Sequence, residues 1–275
     1  MDNSSLQCIN LDSIETRYSE LSSSILRTPT TKLSSPLFSN LIKESEIYLK
    51  LECFQHSGTF KARGALSVTK QIIKENKKFG ITAASAGNHA IAAAWAAKVE
   101  KLSAKVVMQT SANPFRISLA KTYGAEIIMK EGGLAAFAEA DRLMREENRT
   151  FIHPFDGVDT TLGAAGVGLE LIEDYSDLDA VVVAVGGGGL ISGVAAAIKL
   201  KNSNCKIYGV EPIGANSMAQ SIKVGKPVTL DSVDTIADSL APPMALPFSY
   251  SVCKKFVDEF VTVTDNQICA GLSLL

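Results

Sequence analysis

From Ile81 onward the chain alternates short apolar runs with helix-like stretches: ITAA, NHAIAAAWAAK, AKVVM, PFRISLAKTYG, AEIIM, LAAFAEADRLMREEN, TFIHPF. This order constrains the fold more than any other feature, because parallel strands need a helix-sized crossover whereas antiparallel strands do not. A second series follows, in which LGAAGVGLELIEDY leads into AVVVAV, the turn GGGG, the helix-like LISGVAAAIKL, then KIYGV and a later strand, FVTV. The pattern predicts an α/β protein of two lobes, each a twisted, mainly parallel sheet flanked by helices. Because SGTFKARGALSVTKQIIKEN precedes the first series, the N-terminal part is placed with the second lobe. Residues 1–79 and 154–275 then form a large lobe and residues 80–153 a small one.

At 275 residues and 46% hydrophobic composition the chain has enough apolar material for two such cores. Its 27 basic and 29 acidic side chains leave a formal charge of -2, which gives no electrostatic reason to expect a nucleic acid or an anionic membrane. The five cysteines are scattered without metal-type spacing, and MDNSSLQCIN has no basic segment followed by an apolar one. Apolar runs such as residues 181–185 are far shorter than the roughly 20 residues a membrane helix needs. These features predict a cytoplasmic protein with a small-molecule partner.

The glycine run in AVGGGGLISG carries the first chemical signal: a buried-looking strand ends at Gly186, Gly187, Gly188 and Gly189, and a helix follows at once. Without Cβ atoms, several backbone N–H groups can converge on one oxyanion, and the positive end of the helix dipole adds to the attraction. Phosphate is the natural candidate, and a tight connection without ligand is the competing reading. Neither common nucleotide fingerprint fits, because Ile191 or Ser192 falls at the third glycine of G-x-G-x-x-G, and Val194 stands where a Walker loop has lysine.

A second strand-to-helix loop, ASAGNHA, places Ser85, Ala86, Gly87 and Asn88 at a turn and His89 in the first helical turn. Asn88 is either an N-cap or a side chain free to bond a ring substituent, with the helix start suited to a carboxylate. His89 is a candidate donor to backbone. In SGTFKARGA, Lys61 lies near the start of the predicted helix KARGALSVTKQIIKEN, where the dipole and any enclosure destabilise its ammonium form. A neutral amine attacks an aldehyde. An aldehyde-reactive lysine, a phosphate cup and a second polar loop together describe pyridoxal 5'-phosphate, whose aldehyde and phosphate project from one ring.

SGTFKARGA, SAGNHA, GGGGL, GVEP and TIADSLAP closely resemble motifs of the fold-type II pyridoxal-phosphate enzymes, which include threonine and serine dehydratases, serine racemase and the tryptophan synthase β chain. The resemblance runs from about Arg27 to the C-terminus. It implies that Lys61 carries the cofactor as a Schiff base and later removes the substrate α-proton. It further implies that Phe60 lies against the cofactor, Asn88 bonds its ring hydroxyl, and Gly186, Gly187, Gly188, Gly189 and Leu190 hold the phosphate. Thr59, Ser85, Ala86, Gly87, Asn88 and His89 would receive the amino-acid substrate. The implied activity is an ammonia-lyase acting on L-threonine or L-serine, and the implied assembly is a homodimer.

Three departures qualify that resemblance. Ala86 stands where the family's racemases have an acid-base serine, which favours elimination over racemisation. The family's cation site resembles Glu211 and Ala215 followed by an acidic residue two positions on, but Ser217 stands there, so no metal is expected. The chain stops at GLSLL within an amphipathic helix begun near Asp265, so the family's last segment, with the Ser or Cys that meets the pyridine nitrogen, is expected to be missing. Three alternatives remain: a racemase-like enzyme, an inactive cofactor-binding remnant, and a dinucleotide oxidoreductase using Glu211, at the end of KIYGVE, as a ribose-binding acid.

Overall fold

The computed structural model describes residues 3–34, 45–77 and 79–274. Helices α1 (Asn3–Gln7) and α2 (Leu11–Leu21) lead to an antiparallel pair, β1 (Thr30–Lys32) and β2 (Tyr48–Lys50), with Thr30 opposite Lys50. Helix α3 (Lys61–Lys74) follows, with Lys61 as its first residue.

The first alternating series folds as β3 (Ile81–Ala84), α4 (Asn88–Val99), β4 (Ala104–Gln109), α5 (Pro114–Thr122), β5 (Glu126–Lys130), α6 (Gly132–Glu147) and β6 (Thr150–Phe151). Its four strands form a parallel sheet in the order β5-β4-β3-β6, with Ile81 of β3 opposite both Ala104 and Thr150. TFIHPF pairs only through its first two residues. Ile152 still donates its N–H to the Thr82 carbonyl oxygen at 2.9 Å, and the chain leaves the sheet beyond it at the carboxyl edge.

The second series folds as α7 (Val158–Asp174), β7 (Ala180–Ala184), α8 (Gly189–Lys201), β8 (Lys206–Pro212), α9 (Ser217–Val224), α10 (Pro247–Phe256), β9 (Glu259–Val263) and α11 (Asp265–Leu274). Strands β7, β8 and β9 form a parallel sheet in that order. The mixed α/β class and the parallel sheets flanked by helices are those read from the alternating pattern.

Two principal cores result. One gathers Val183, Val185, Ile191, Ile198, Ile207 and Phe248 around the three-stranded sheet, and the other gathers Ile81, Ala83, Ala93, Trp95, Val106 and Ile152 around the four-stranded sheet. Helix α4 is buried from His89 to Ala97, as expected of a helix whose alanine-rich surface is apolar on every side. Helix α3 spans the two regions. Ala62, Ala65, Leu66 and Ile72 join the core of the four-stranded sheet, whereas a Cβ on Gly163 of α7 would come within 2.5 Å of the Arg63 carbonyl oxygen. The absent side chain lets α3 and α7 touch backbone to backbone.

A buried ionic network fixes that contact. The fully buried Arg63 guanidinium donates to Glu170 at 2.7 Å and to Glu52 at 2.8 Å, and Lys50 pairs with Glu170 at 2.8 Å. Removing one member would strand a buried charge, so the network makes the position of α3 hard to change. Lys61 therefore starts from a rigid support.

Candidate active site

Four helices begin around one small cavity. Its lining includes Phe60 and Lys61 at the start of α3, His89 in the first turn of α4, Thr160 in the first turn of α7 and Gly189 at the start of α8, together with His153 and Pro154. None of these helices has a side-chain hydrogen bond at its N-cap, which is Phe60, Gly87, Gly157 and Gly188 in turn. In α3 the first N–H groups turn back onto Thr59 and Phe60, whereas the first N–H groups of α4, α7 and α8, with the positive ends of their dipoles, remain available to anions.

The Lys61 amine donates to the Pro154 carbonyl oxygen at 2.6 Å and lies 5.1 Å from the Phe60 ring centre. Burial pushes its pKa down to about 8, so roughly a tenth of the amine is neutral at pH 7, far more than for an exposed lysine. The buried Thr59 accepts from the Lys61 N–H through Oγ1 at 3.4 Å. Just upstream, Ser57 sits in the left-handed region at φ 62, and the tight turn 55–58 aims the chain into α3.

The loop after β3 leaves Ser85, Ala86, Gly87 and Asn88 half-buried, and His89, the next residue, is the one that lines the cavity. Ser85 Oγ accepts from the Gly87 N–H at 3.1 Å. Asn88 is the first residue of α4 rather than its cap, which is Gly87, and its side chain makes no hydrogen bond among the described residues. This corrects the capping alternative. His89 is buried, its Nε2–H donates to the Ile152 carbonyl oxygen at 2.8 Å, and burial holds it down to about 3. The expectation of a backbone-donating histidine is met.

The loop after β7 works through missing atoms. A Cβ on Gly187 would lie 2.2 to 2.5 Å from the Phe155 ring, and one on Gly189 would lie 2.7 Å from the Phe155 carbonyl oxygen. Gly188 has φ +89, which only glycine adopts readily. Gly186 packs against Leu240 and Pro242, and the half-buried Leu190 packs against the core beneath.

Glu211 is fully buried, and its two carboxylate oxygens accept from the Met218 N–H at 3.0 Å and the Ala219 N–H at 2.7 Å. It caps α9 from inside the protein and is not placed to meet a ribose, which removes the oxidoreductase alternative. Burial raises its pKa to about 7. Among the described residues no group of three His, Cys, Asp or Glu side chains could hold a metal ion.

His153, Phe155 and Thr160 were not singled out from the sequence. His153 Nδ1 accepts from the N–H groups of Phe155 and Asp156 at 3.2 and 2.9 Å, and burial holds its pKa down to about 4. The available signal was its position just beyond a strand in a parallel sheet, at the edge where α/β proteins bind ligands.

A partly neutral lysine, uncapped helix starts and a glycine cup fit a cofactor with an aldehyde and a phosphate. Residues 21–275 match the family described as pyridoxal-phosphate dependent enzyme. The chain belongs to that family. Pyridoxal 5'-phosphate is its cofactor. The chain is 45% identical over 229 residues to a phenylserine dehydratase of Ralstonia pickettii, covering 83% of this chain and 70% of that one. It is 37% identical over 243 residues to an L-threonine ammonia-lyase of Thermotoga maritima, covering 86% of this chain but only 60% of its relative. The structure of maize serine racemase superposes with a TM-score of 0.91 at 33% identity, covering 96% of this chain and 80% of the other.

Proposed function

We propose that this chain is an ammonia-lyase that converts L-threonine, L-serine or both into a 2-oxo acid and ammonia. The observation that carries the reading is the Lys61 amine: enclosed, shifted to about 8 and surrounded by helix starts that attract anions. The dehydratase and ammonia-lyase relatives support the reaction class.

In this reading Lys61 links the cofactor and Phe60 encloses it. Asn88 bonds its ring hydroxyl, and the N–H groups of residues 186–190 hold its phosphate. Once bound, the cofactor supplies an electron sink for the charge left at the substrate α-carbon. Thr59, Ser85, Ala86, Gly87, Asn88 and His89 form the substrate side, where the start of α4 orients the carboxylate. Neutral Lys61 Nζ accepts the α-proton. The β-oxygen leaves with the Cβ–O electron pair and takes up a proton, so the elements of water are lost. Hydrolysis of the released enamine returns one water and gives the 2-oxo acid and ammonia.

Racemisation is the second reading, and Ala86 opposes it because a methyl group cannot deliver a proton to the far face of the α-carbon. Two lobes, with residues 80–153 as the smaller, and a homodimer complete the proposal; sedimentation of the holoprotein tests the latter. The main experiment has two parts. Borohydride reduction and mass spectrometry should place a pyridoxyl group on Lys61, and L-serine should give pyruvate with little D-serine. Modification of another lysine, or D-serine as the main product, would overturn the corresponding assignment. Labelling at Lys61 without turnover of any β-substituted amino acid would favour the inactive remnant.

A further inference from the structure

Two neutral imidazoles flank Lys61 with opposite hydrogen-bonding capacity. His89 donates its Nε2–H to Ile152, which leaves Nδ1 as an acceptor. His153 is the reverse. Two backbone N–H groups point at its Nδ1, so the ring proton of the neutral form resides on Nε2. Phe151 and Phe155 hold the ring by edge contacts, with centroids at 5.8 and 4.6 Å. No hydrogen bond from His153 Nε2 exists among the described residues, and the ring lines the cavity that holds Lys61.

The topology indicates what this donor faces. Strands β3 and β6 are adjacent and parallel, with Thr82 opposite Phe151, so their following loops leave the same sheet edge side by side. The loop after β3 is the proposed carboxylate site, and the loop after β6 carries His153 and the Pro154 carbonyl that holds the Lys61 amine. In that reading, a substrate with its carboxylate on the first loop and its α-carbon at Lys61 has the second loop within reach of its β-substituent.

We propose that His153 donates a hydrogen bond from Nε2–H to the β-oxygen of the substrate and stabilises that oxygen as the Cβ–O bond breaks. This deepens the ammonia-lyase reading and rests on it. The oxygen departs with the bonding electrons, and the proton removed from Cα by Lys61 balances the proton that completes the water. His153 keeps its own proton. Burial and the neighbouring Lys61 charge hold its pKa down to about 4, so the ring acts as a fixed neutral donor.

The test compares leaving groups in the holoenzyme. Chloride leaves β-chloro-L-alanine without a hydrogen-bond donor, whereas hydroxide leaves L-serine only with help. His153→Phe should lower kcat on L-serine by about 100-fold, the lower range for a lost hydrogen-bond donor to an oxygen that gains negative charge, while β-chloro-L-alanine changes far less. The cofactor absorption band should persist. His153→Gln, which keeps an amide donor and a carbonyl for the backbone N–H groups, should restore most of the serine activity. Equal losses on both substrates, or no loss on serine, would overturn the proposal. If neither substrate is turned over by the parent protein, the ammonia-lyase reading itself fails. Should His153→Phe not fold, the ¹⁵N-labelled parent enzyme supplies a second measurement with analogues that lack an α-proton. The His153 Nε2–H resonance should move downfield with α-methyl-L-serine and not with 2-aminoisobutyrate, and identical spectra would reject the contact.

Discussion

The turns after β3 and β7 both lead from the carboxyl end of a parallel strand into a helix with no side-chain cap, yet they are built in opposite ways. The first presents side chains, with Ser85 organising the turn and Asn88 making no side-chain hydrogen bond among the described residues. The second presents backbone, and its close packing against Phe155 depends on the absence of Cβ atoms. A turn made of side chains can change its chemistry by substitution, whereas a turn made of backbone tolerates little beyond glycine. This division suits a site that holds an unchanging phosphate at one end and distinguishes amino acids at the other.

The sharpest way to break the comparison is to add one methyl group to each turn. In Gly187→Ala the new Cβ falls within 2.2 to 2.5 Å of three Phe155 ring atoms, so the ring or the strand end must move. The expected cost is about 1–3 kcal/mol of stability, as for other overpacked interiors. Displacing the cup should also weaken cofactor binding. Gly87→Ala meets only the end of the Arg116 guanidinium, at 3.3 Å, and its φ of -132 avoids the left-handed region. It should change stability by less than about 0.5 kcal/mol. Urea midpoints and cofactor titrations of both variants decide this, and equal effects would mean that the turns do not differ as described.

The glycine cup was legible in the sequence because an absent side chain has a direct geometric meaning. Lys61 was legible as part of a set. Asn88 was ambiguous, because the same residue type caps helices and binds ligands, and only the helix boundary shows that Gly87 is the cap. His153 was hidden for a different reason. TFIHPF reads as a strand throughout, and the value of its histidine depends on β6 lying beside β3 and on the chain turning back so that two N–H groups meet Nδ1. The Arg63–Glu170 pair, which supports Lys61, joins residues too distant in sequence for periodicity to connect.

Protonation extends the comparison. His89, beside the first turn, titrates at about 3 rather than 6.5, so the unfolded chain binds a proton that the folded chain does not. Its contribution to stability is present above pH 6.5 and is lost as pH falls below that value. Glu211 sits beneath the second turn, where Met218 at the start of α9 approaches Gly188, and titrates at about 7 rather than 4.5. The folded chain keeps a proton that the unfolded chain releases, so this contribution is present below pH 4.5 and is lost as pH rises through 7. Relative to the parent, Glu211→Gln should gain on the order of 2 kcal/mol between pH 5 and pH 8, and His89→Gln should gain a similar amount between pH 8 and pH 5. Denaturant titrations at the two pH values supply the four numbers. The same sign for both variants would show that burial does not govern one of these groups.

The smallest effect sharpens the comparison most, because it separates holding a helix from holding a ligand. Asn88 stands at the first position of α4, its side chain makes no hydrogen bond among the described residues, and the cap position belongs to Gly87. Asn88→Ala removes no intramolecular hydrogen bond among the described residues and introduces a better helix former, so the cofactor-free protein should keep its stability within about 0.5 kcal/mol. The holoprotein should behave differently. If Asn88 bonds the cofactor ring hydroxyl, the substitution removes one ordinary hydrogen bond worth about 0.5–1.5 kcal/mol, which raises the cofactor dissociation constant roughly 2- to 13-fold. Urea denaturation of the cofactor-free form and a titration followed by the visible absorption band measure the two quantities independently. A loss of about 1 kcal/mol in the cofactor-free protein, the usual cost of deleting an N-cap, would return Asn88 to the structural role that Gly87 now fills. A stable variant with unchanged cofactor affinity would instead place the ring hydroxyl elsewhere. The loop would then be left to the substrate alone.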